Sequence, residues 1–578
     1  MTTATTDRQT MVHVCSLEEL RADGVKVISV QGRTVALFWH QDAVWAVDNR
    51  CPHMGFPLSQ GTVADGILTC HWHHAKFDLA GGCTFDPFAD DVASFRAEVR
   101  DGAVWLDPEP MEEERIAHWT RKLREGLEQN LRLVIAKSVL GLCEAGRERE
   151  VLTEAALFGV RNRSAGWASG LSILTAMANV SPHLREEDRA RALYHGVVHV
   201  ARDVQGQPPD FDLAPLDTAE DRPQQFRAWF RRFAEVRSRD AAERCLRTAA
   251  AAGLDSEQLA DLIFSAATDH LFMDVGHTLD FANKACELLD SIGWEHGPDM
   301  LSSVIPTVTR AQRMEETSSW QHPVHLPQLI SEANAALDDA LHVGQERRSD
   351  WDAHRAVAES ILDDEPADSL RTIIDAVRTG APLTELSLAV AYAAARRPAH
   401  FHISNEFGDW NTVHHTFTYT NAVDRAMQRS PSRELARGIL DGAMSVYLER
   451  FLNLPKQSMP RGHRNGATAE HVLGHFDRQQ QVDETAQTVA DLLASGERDA
   501  VIQTLGQALL REDAGFHSFQ IYEAALRLVD RFGDRAEADE VLIGAARFLT
   551  AHAPTVRSMG QTWETARRLH RGEALHAG

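Results

Sequence analysis

Cys51-Pro52-His53-Met54-Gly55 and, after sixteen residues between His53 and Cys70, Cys70-His71-Trp72-His73-His74-Ala75-Lys76-Phe77-Asp78 decide how the start of this 578-residue chain is read. Each stretch sets one cysteine close to one histidine, as Cys51-x-His53 and Cys70-x-x-His73. Two such pairs suit a two-iron cluster in which thiolates hold one iron and neutral imidazoles hold the other. A zinc finger groups its ligands differently, with two cysteines in one loop and two histidines in the next. Four unrelated turn residues are the remaining reading, and the context opposes it. Pro52, Gly55, Pro57 and Gly61 give the first pair a loop full of turns, and strand-like runs flank both pairs.

Those runs are short and rich in β-branched and aromatic residues: Lys26–Val30, Thr34–Trp39, Ala43–Asp48, Gly66–Cys70, Ala93–Val99 and Gly102–Leu106. Turn signals every few residues predict a small antiparallel sandwich or barrel. From Glu112 the pattern changes. Arg115–Ala136, Asp240–Ala251, Ser256–Asp290, Pro366–Arg378 and Ala486–Leu493 have helical spacing and abundant Ala, Leu, Glu and Arg. Asp107–Glu114 (DPEPMEEE) reads as a linker and helix start. The expected organisation is a tail at 1–10, an all-β cluster domain at 11–108, a linker at 109–118 and a large all-α domain at 119–578. That last domain is the expected catalytic part.

A net charge of −25 argues against a nucleic-acid partner, whose phosphates need a basic face. The N-terminus lacks the apolar core of a signal peptide, and the longest apolar run, Leu386–Ala395, stops at Arg396 and Arg397. Seven scattered cysteines make no disulfide framework. A cytoplasmic protein without a membrane anchor is expected.

At CPHMG and CHWHHAKFD, followed by Gly81-Gly82, the chain closely resembles the Rieske 2Fe–2S family over about residues 11–108. The resemblance implies Cys51, His53, Cys70 and His73 as cluster ligands and makes His74 a neighbour. Respiratory members of that family carry an extra cysteine in each loop, joined as a disulfide. Here Phe56 and Trp72 occupy those positions, and Cys83 has no counterpart in the first loop. That likens the domain to the ferredoxin and oxygenase types, which implies a lower potential and a soluble redox chain.

A fully ligated cluster moves electrons but does no chemistry on substrates, so the helical domain must hold a catalytic centre or serve as a docking body. The motif of the best-known Rieske oxygenases, roughly Asp-x-x-His-x4-His, begins at Asp274-x-x-His277 but finds no second histidine. Other histidines stand out. His195 and His199 are one helical turn apart, and His270, Asp274 and His277 at i, i+4 and i+7 place two imidazoles and a carboxylate on one face. That trio has the composition of a facial iron site, although a solvated polar face explains both patterns. Ala399–Asn421 holds His400, His402, His414 and His415 among aromatics and threonines, and Gly515–Glu523 holds His517. His414 lies on the apolar side beside Trp410 and Phe417, which makes His414 and His517 candidate pocket residues. The segments YHGVVHVAR, DHLFMDVGHTLDF and DWNTVHHTFTYTNAV are also similar to questin-oxidase-like helical proteins, which implies oxidation of aromatic polyketides.

Three readings follow. In the first, the cluster feeds a histidine-rich, non-haem iron site that activates oxygen against a small organic substrate. In the second, the helices bind an organic cofactor or reactive substrate. In the third, a non-enzymatic electron carrier or redox sensor is fused to a docking scaffold. No Gly-x-Gly-x-x-Gly fingerprint follows a strand, so a separate ferredoxin or NAD(P)H-dependent reductase is the expected electron source.

Overall fold

The computed structural model describes residues 11–111, 115–162, 166–217, 222–347, 351–571 and 573. The expected 1–10 tail, and residues 112–114 of the expected linker, lie outside these. The chain divides into two compact units, Met1–Glu154 with Met559–Gly578, and Ala155–Ser558.

In the first unit the strands are β1 (Val12–Ser16), β2 (Val25–Val30), β3 (Arg33–His40), β4 (Ala43–Asp48), β5 (Thr62–Ala64), β6 (Ile67–Thr69), β7 (Lys76–Asp78), β8 (Ser94–Arg100) and β9 (Ala103–Pro110). Six form one sheet in the order β1-β9-β8-β4-β3-β2, and β5-β6-β7 form a second. Strand β3 shows why. Its residues alternate between two cores, Val35 and Leu37 into one with Leu20, Ala46, Phe95 and Leu106, Ala36 and Phe38 into the other with Leu58, Leu68 and Phe77. The second core also contains Cys51 and Cys70, so both sulfurs belong to a packed interior between the two sheets.

This unit does not end with its strands. Besides α1 (Leu17–Asp23), helices α2 (Arg115–Gln129) and α3 (Arg132–Glu144) belong to it, where periodicity predicts a single segment through Ala136. Asn130, at φ 51°, breaks the helix between them. Asn is among the few residues that tolerate that left-handed conformation. From Met559 onward the C-terminal Ser558–His570 helix belongs here too, and His570 bonds Glu144 at 2.7 Å.

Among the described residues of the second unit the regular elements are all helices, joined by loops. Leu386–Ala395, the longest apolar run, is buried at every position within the Leu383–Ala399 helix and so is core. Among the described residues no helix is long and apolar enough to cross a membrane.

Two expectations for this unit need correction. The predicted Ser256–Asp290 helix is two, Ser256–Ala267 and His277–Ile292, separated by a short turn at Met273–Gly276. Phe272, Asp274, Val275 and Gly276 all have positive φ, at 42°, 51°, 49° and 93°. A β-branched residue there carries strain of about 1–3 kcal/mol, which surrounding packing must hold. Gly276 has no alternative, because a Cβ on it would lie 2.8 Å from that of Tyr419. His270, Asp274 and His277 therefore share no helical face. The second correction concerns the Glu186–Val204 helix, whose His195 and His199 do not look into solvent. They are buried at 0% and 3% exposure. The opposite face packs on the Ser169–Val180 helix, where Gly196 meets Leu174. The histidine face packs on Phe519. An amphipathic pattern does not reveal that a helix is covered on both sides.

Candidate metal centres

The two Cys–His loops of the first unit are built alike. Cys51 N–H donates to the Phe56 carbonyl at 2.8 Å and Gly55 N–H to the Cys51 carbonyl at 2.7 Å. In the second loop Cys70 N–H donates to the Ala75 carbonyl at 2.9 Å and His74 N–H to the Cys70 carbonyl at 3.0 Å. The closing positions, Gly55 and His74, both have positive φ, at 82° and 61°. His74 thus fills a backbone role that glycine fills in the first loop. It is His73 whose ring meets that of His53, at 4.8 Å between centroids.

Both sulfurs are 1% exposed. Backbone N–H groups of His53 and Met54 bond the Cys51 sulfur, and those of Trp72 and His73 bond the Cys70 sulfur. The two thiols also bond each other, which holds Cys70 down at about 6 and pushes Cys51 up. Burial, then His73 and Lys137, lower the His53 pKa to about 4, so its imidazole is neutral. Its Nδ1 is buried with no hydrogen-bond partner among the described residues. Two buried, donor-cradled sulfurs beside two imidazoles, one with an orphaned nitrogen, fit a 2Fe–2S cluster. His73 and Trp72 are exposed, so the imidazole edge faces solvent. Phe56 and Trp72 lie tilted at 44° to each other with ring centroids 6.1 Å apart.

Behind the first loop, His118 of α2 bonds Asp90 at 2.9 Å and lies 3.3 Å from Asp91. Burial alone would lower the His118 pKa, but the two carboxylates raise it to about 9. A raised histidine stabilises the fold fully below its unfolded pKa of about 6.5 and loses that contribution as pH rises through the folded value. The first unit is therefore expected to lose about 3 kcal/mol of stability between pH 6.5 and 9.5. His118→Phe should flatten this slope, and chemical denaturation followed by the unit's visible circular dichroism checks it. An equal slope in the variant would remove His118 as the cause.

In the helical unit, the sequence candidates scatter. His195 bonds the Leu510 carbonyl at 3.1 Å and His199 lies 2.7 Å from Arg202. His270 sits between Glu315 and Glu235, each 2.6 Å away, and these bonds raise its pKa. Asp274 is exposed. Only His277 of the second-iron candidates reaches a ligand cluster.

That cluster is His277, His415 and His517, whose ring nitrogens lie within 4.8 Å of one another. No carboxylate joins them among the described residues. His277 opens its helix after the strained turn, His415 lies within Phe407–Arg429, and His517 is second in Phe516–Phe532. The His415 and His517 Nε2 atoms are 2.9 Å apart. His277 stacks on Phe281 at 5.2 Å and lies 5.8 Å from Phe516. Burial first, then neighbouring histidines, lower the three pKa values to about 4, 3 and 3. Each neutral imidazole keeps one unprotonated ring nitrogen that can face a metal. His414, fully buried, packs 4.9 Å from His517, and burial holds its pKa well below the ordinary range. Of this centre, His415 was the residue the sequence offered only as one of many histidines. Its signal in the sequence is an adjacent pair, His414-His415, in a helix weakened by four threonines.

The family model of the Rieske [2Fe-2S] domain matches residues 10–96. The ferredoxin component of the alkene monooxygenase system of Xanthobacter autotrophicus is 32% identical over 104 residues, covering 18% of this chain and 85% of that protein. The 4beta-methylsterol monooxygenase of Methylococcus capsulatus is 46% identical over 68 residues, 11% of this chain and 18% of that protein. Among solved structures, the ferredoxin of carbazole 1,9a-dioxygenase from Nocardioides aromaticivorans is 24% identical and is covered completely by 18% of this chain, with a TM-score of 0.17. The matched family region ends before the helical unit begins.

Proposed function

Because this chain belongs, through its N-terminal domain, to the Rieske [2Fe-2S] domain family, we propose that it is an oxygenase of Rieske type with a second iron among its helices. Cys51, His53, Cys70 and His73 hold the cluster in this reading, and His277, His415 and His517 hold the iron. The observation that carries it is the convergence of three neutral imidazoles from three helices beside a strained turn. Relatives that share the domain include a sterol monooxygenase, a flavonoid 8-hydroxylase and a cholesterol 7-desaturase.

The cluster supplies single electrons, and the iron is where dioxygen and a small organic substrate would meet. Monooxygenation balances as C–H plus O2 plus two electrons and two protons to C–OH plus water, so two electrons must come from an outside ferredoxin or reductase. Phe281 and Phe516 beside the triad exclude water and favour an apolar substrate surface. The burial that keeps the three imidazoles neutral leaves them as ligands rather than acids.

Metal analysis of the full chain tests the reading. Three irons per chain are expected, falling to two in His277→Ala/His415→Ala while the cluster spectrum persists. A wild-type chain with two irons and no other metal sinks the second centre and leaves an electron carrier.

A further inference from the structure

Behind the first ligand loop, the N-terminal unit carries a buried cation that neither centre needs as a ligand. Lys137 lies midway along α3 and is 6% exposed. Its ammonium donates to the carbonyl of Pro52, the residue between Cys51 and His53. Burial pulls the Lys137 pKa down, and the charges of Asp90 first and then Cys51 oppose that pull. Helix α3 lies beyond the residues that the family model matches, so this cation is an addition to the shared domain.

A chamber of about 280 Å³ adjoins the contact, lined by Arg50, Cys51, Asp90, Asp91 and Lys137 among others. Of its carboxylates, Asp90 is the chief charge acting on Lys137, and Asp90 and Asp91 also hold other partners. Asp90 bonds His118 at 2.9 Å, and Asp91 lies 3.3 Å from His118, 3.1 Å from Arg121 and 3.6 Å from Lys122. Lys137, by contrast, spends its hydrogen bond on a neutral carbonyl. Its charge is thus turned towards the ligand loop and is only partly offset by Asp90.

We propose that Lys137 sets the redox poise of the cluster, raising its reduction potential by stabilising the electron that reduction adds. The inference rests on the cluster assignment above and is independent of the triad. Reduction places one further negative charge on the cluster with no proton required, and a buried cation close by attracts it with little screening. The expected size is about tenfold in the ratio of reduced to oxidised cluster at fixed ambient potential, or 59 mV for a one-electron couple.

An EPR-monitored redox titration of the full chain, with dithionite as reductant and mediator dyes, tests this. Lys137→Gln should lower the midpoint about tenfold in that ratio, Lys137→Arg should stay near wild type, and Asp90→Asn should shift it upward. An unchanged midpoint in Lys137→Gln, with two cluster irons and a wild-type signal, overturns the proposal. Should Lys137→Gln lose its cluster, Asp90→Asn decides: an upward shift supports the role of this charge set, and no shift or a downward one overturns it. A wild-type chain that shows no cluster signal overturns the cluster assignment and the inference with it.

Discussion

Cys70→Ser is expected to strip two irons from each chain and abolish the cluster's visible absorption, leaving any metal at the triad in place. Cys70 is 1% exposed in a core with Leu58, Leu68 and Phe77, and its sulfur accepts backbone N–H groups from Trp72 and His73. That cradle and a thiol pKa of about 6 favour a thiolate. A serine oxygen is shorter, harder and protonated at neutral pH, so the cluster loses one of its two sulfur anchors. Metal binding is coupled to folding, and losing a tightly held group removes about 4 kcal/mol of stabilisation. For a unit of this size that lowers the melting temperature by roughly 10 °C. Iron analysis with scanning calorimetry measures both, and the helical unit's transition should not move. Retention of both irons in the variant would exclude Cys70 as a ligand.

Lys284→Ala should cost the helical unit about 3 kcal/mol, because it takes the buried cation from two buried carboxylates and leaves them to partly exposed arginines. Lys284 is 1% exposed and bonds Glu287 at 2.9 Å and Glu523 at 2.7 Å. Asn179 donates to both carboxylates at 2.9 and 3.0 Å, Arg527 to Glu523 at 3.0 Å, and Arg425 to Glu287 at 3.3 Å. Lys284, Arg425 and Glu523 lie on the three helices that carry His277, His415 and His517. This ionic knot therefore ties together the elements on which the triad depends. Denaturant unfolding should show the loss, and metal at the triad should fall with it. Lys284→Met/Glu287→Gln/Glu523→Gln should recover much of the stability, since the buried carboxylates go with their cation and Arg425 and Arg527, 28% and 21% exposed, can turn to solvent. A Lys284→Ala chain within 1 kcal/mol of wild type would show that the knot is inert.

Legibility follows the range of the interactions. The strands at Lys26–Val30, Thr34–Trp39 and Ala43–Asp48 were readable because alternation along a strand is local, and each lies within an observed strand. Pro366–Arg378 was readable as a helix to its end residues because its apolar stripe and its N-terminal proline are local too. The helix break at Phe272–Gly276 was not, since nothing in a helical period announces four residues of positive φ held by Tyr419 from another helix. His195 and His199 were misplaced for a related reason. Burial of a second helix face depends on Phe519, more than three hundred residues away in the chain.

The two Cys–His loops were determined by the sequence alone, because all four residues and the turns that aim them lie between residues 51 and 75. Their setting was decided only in three dimensions. The loops' likeness appears in matched hydrogen bonds, and Lys137 reaches Pro52 across 85 residues of chain. The triad belongs wholly to tertiary structure. His277, His415 and His517 share no spacing, and they meet because a strained turn, a threonine-rich helix and a buried ionic knot bring three helix segments to one point. Local chemistry is written in short motifs, whereas a site assembled from distant segments is specified by packing and buried charge, which sequence spacing does not encode.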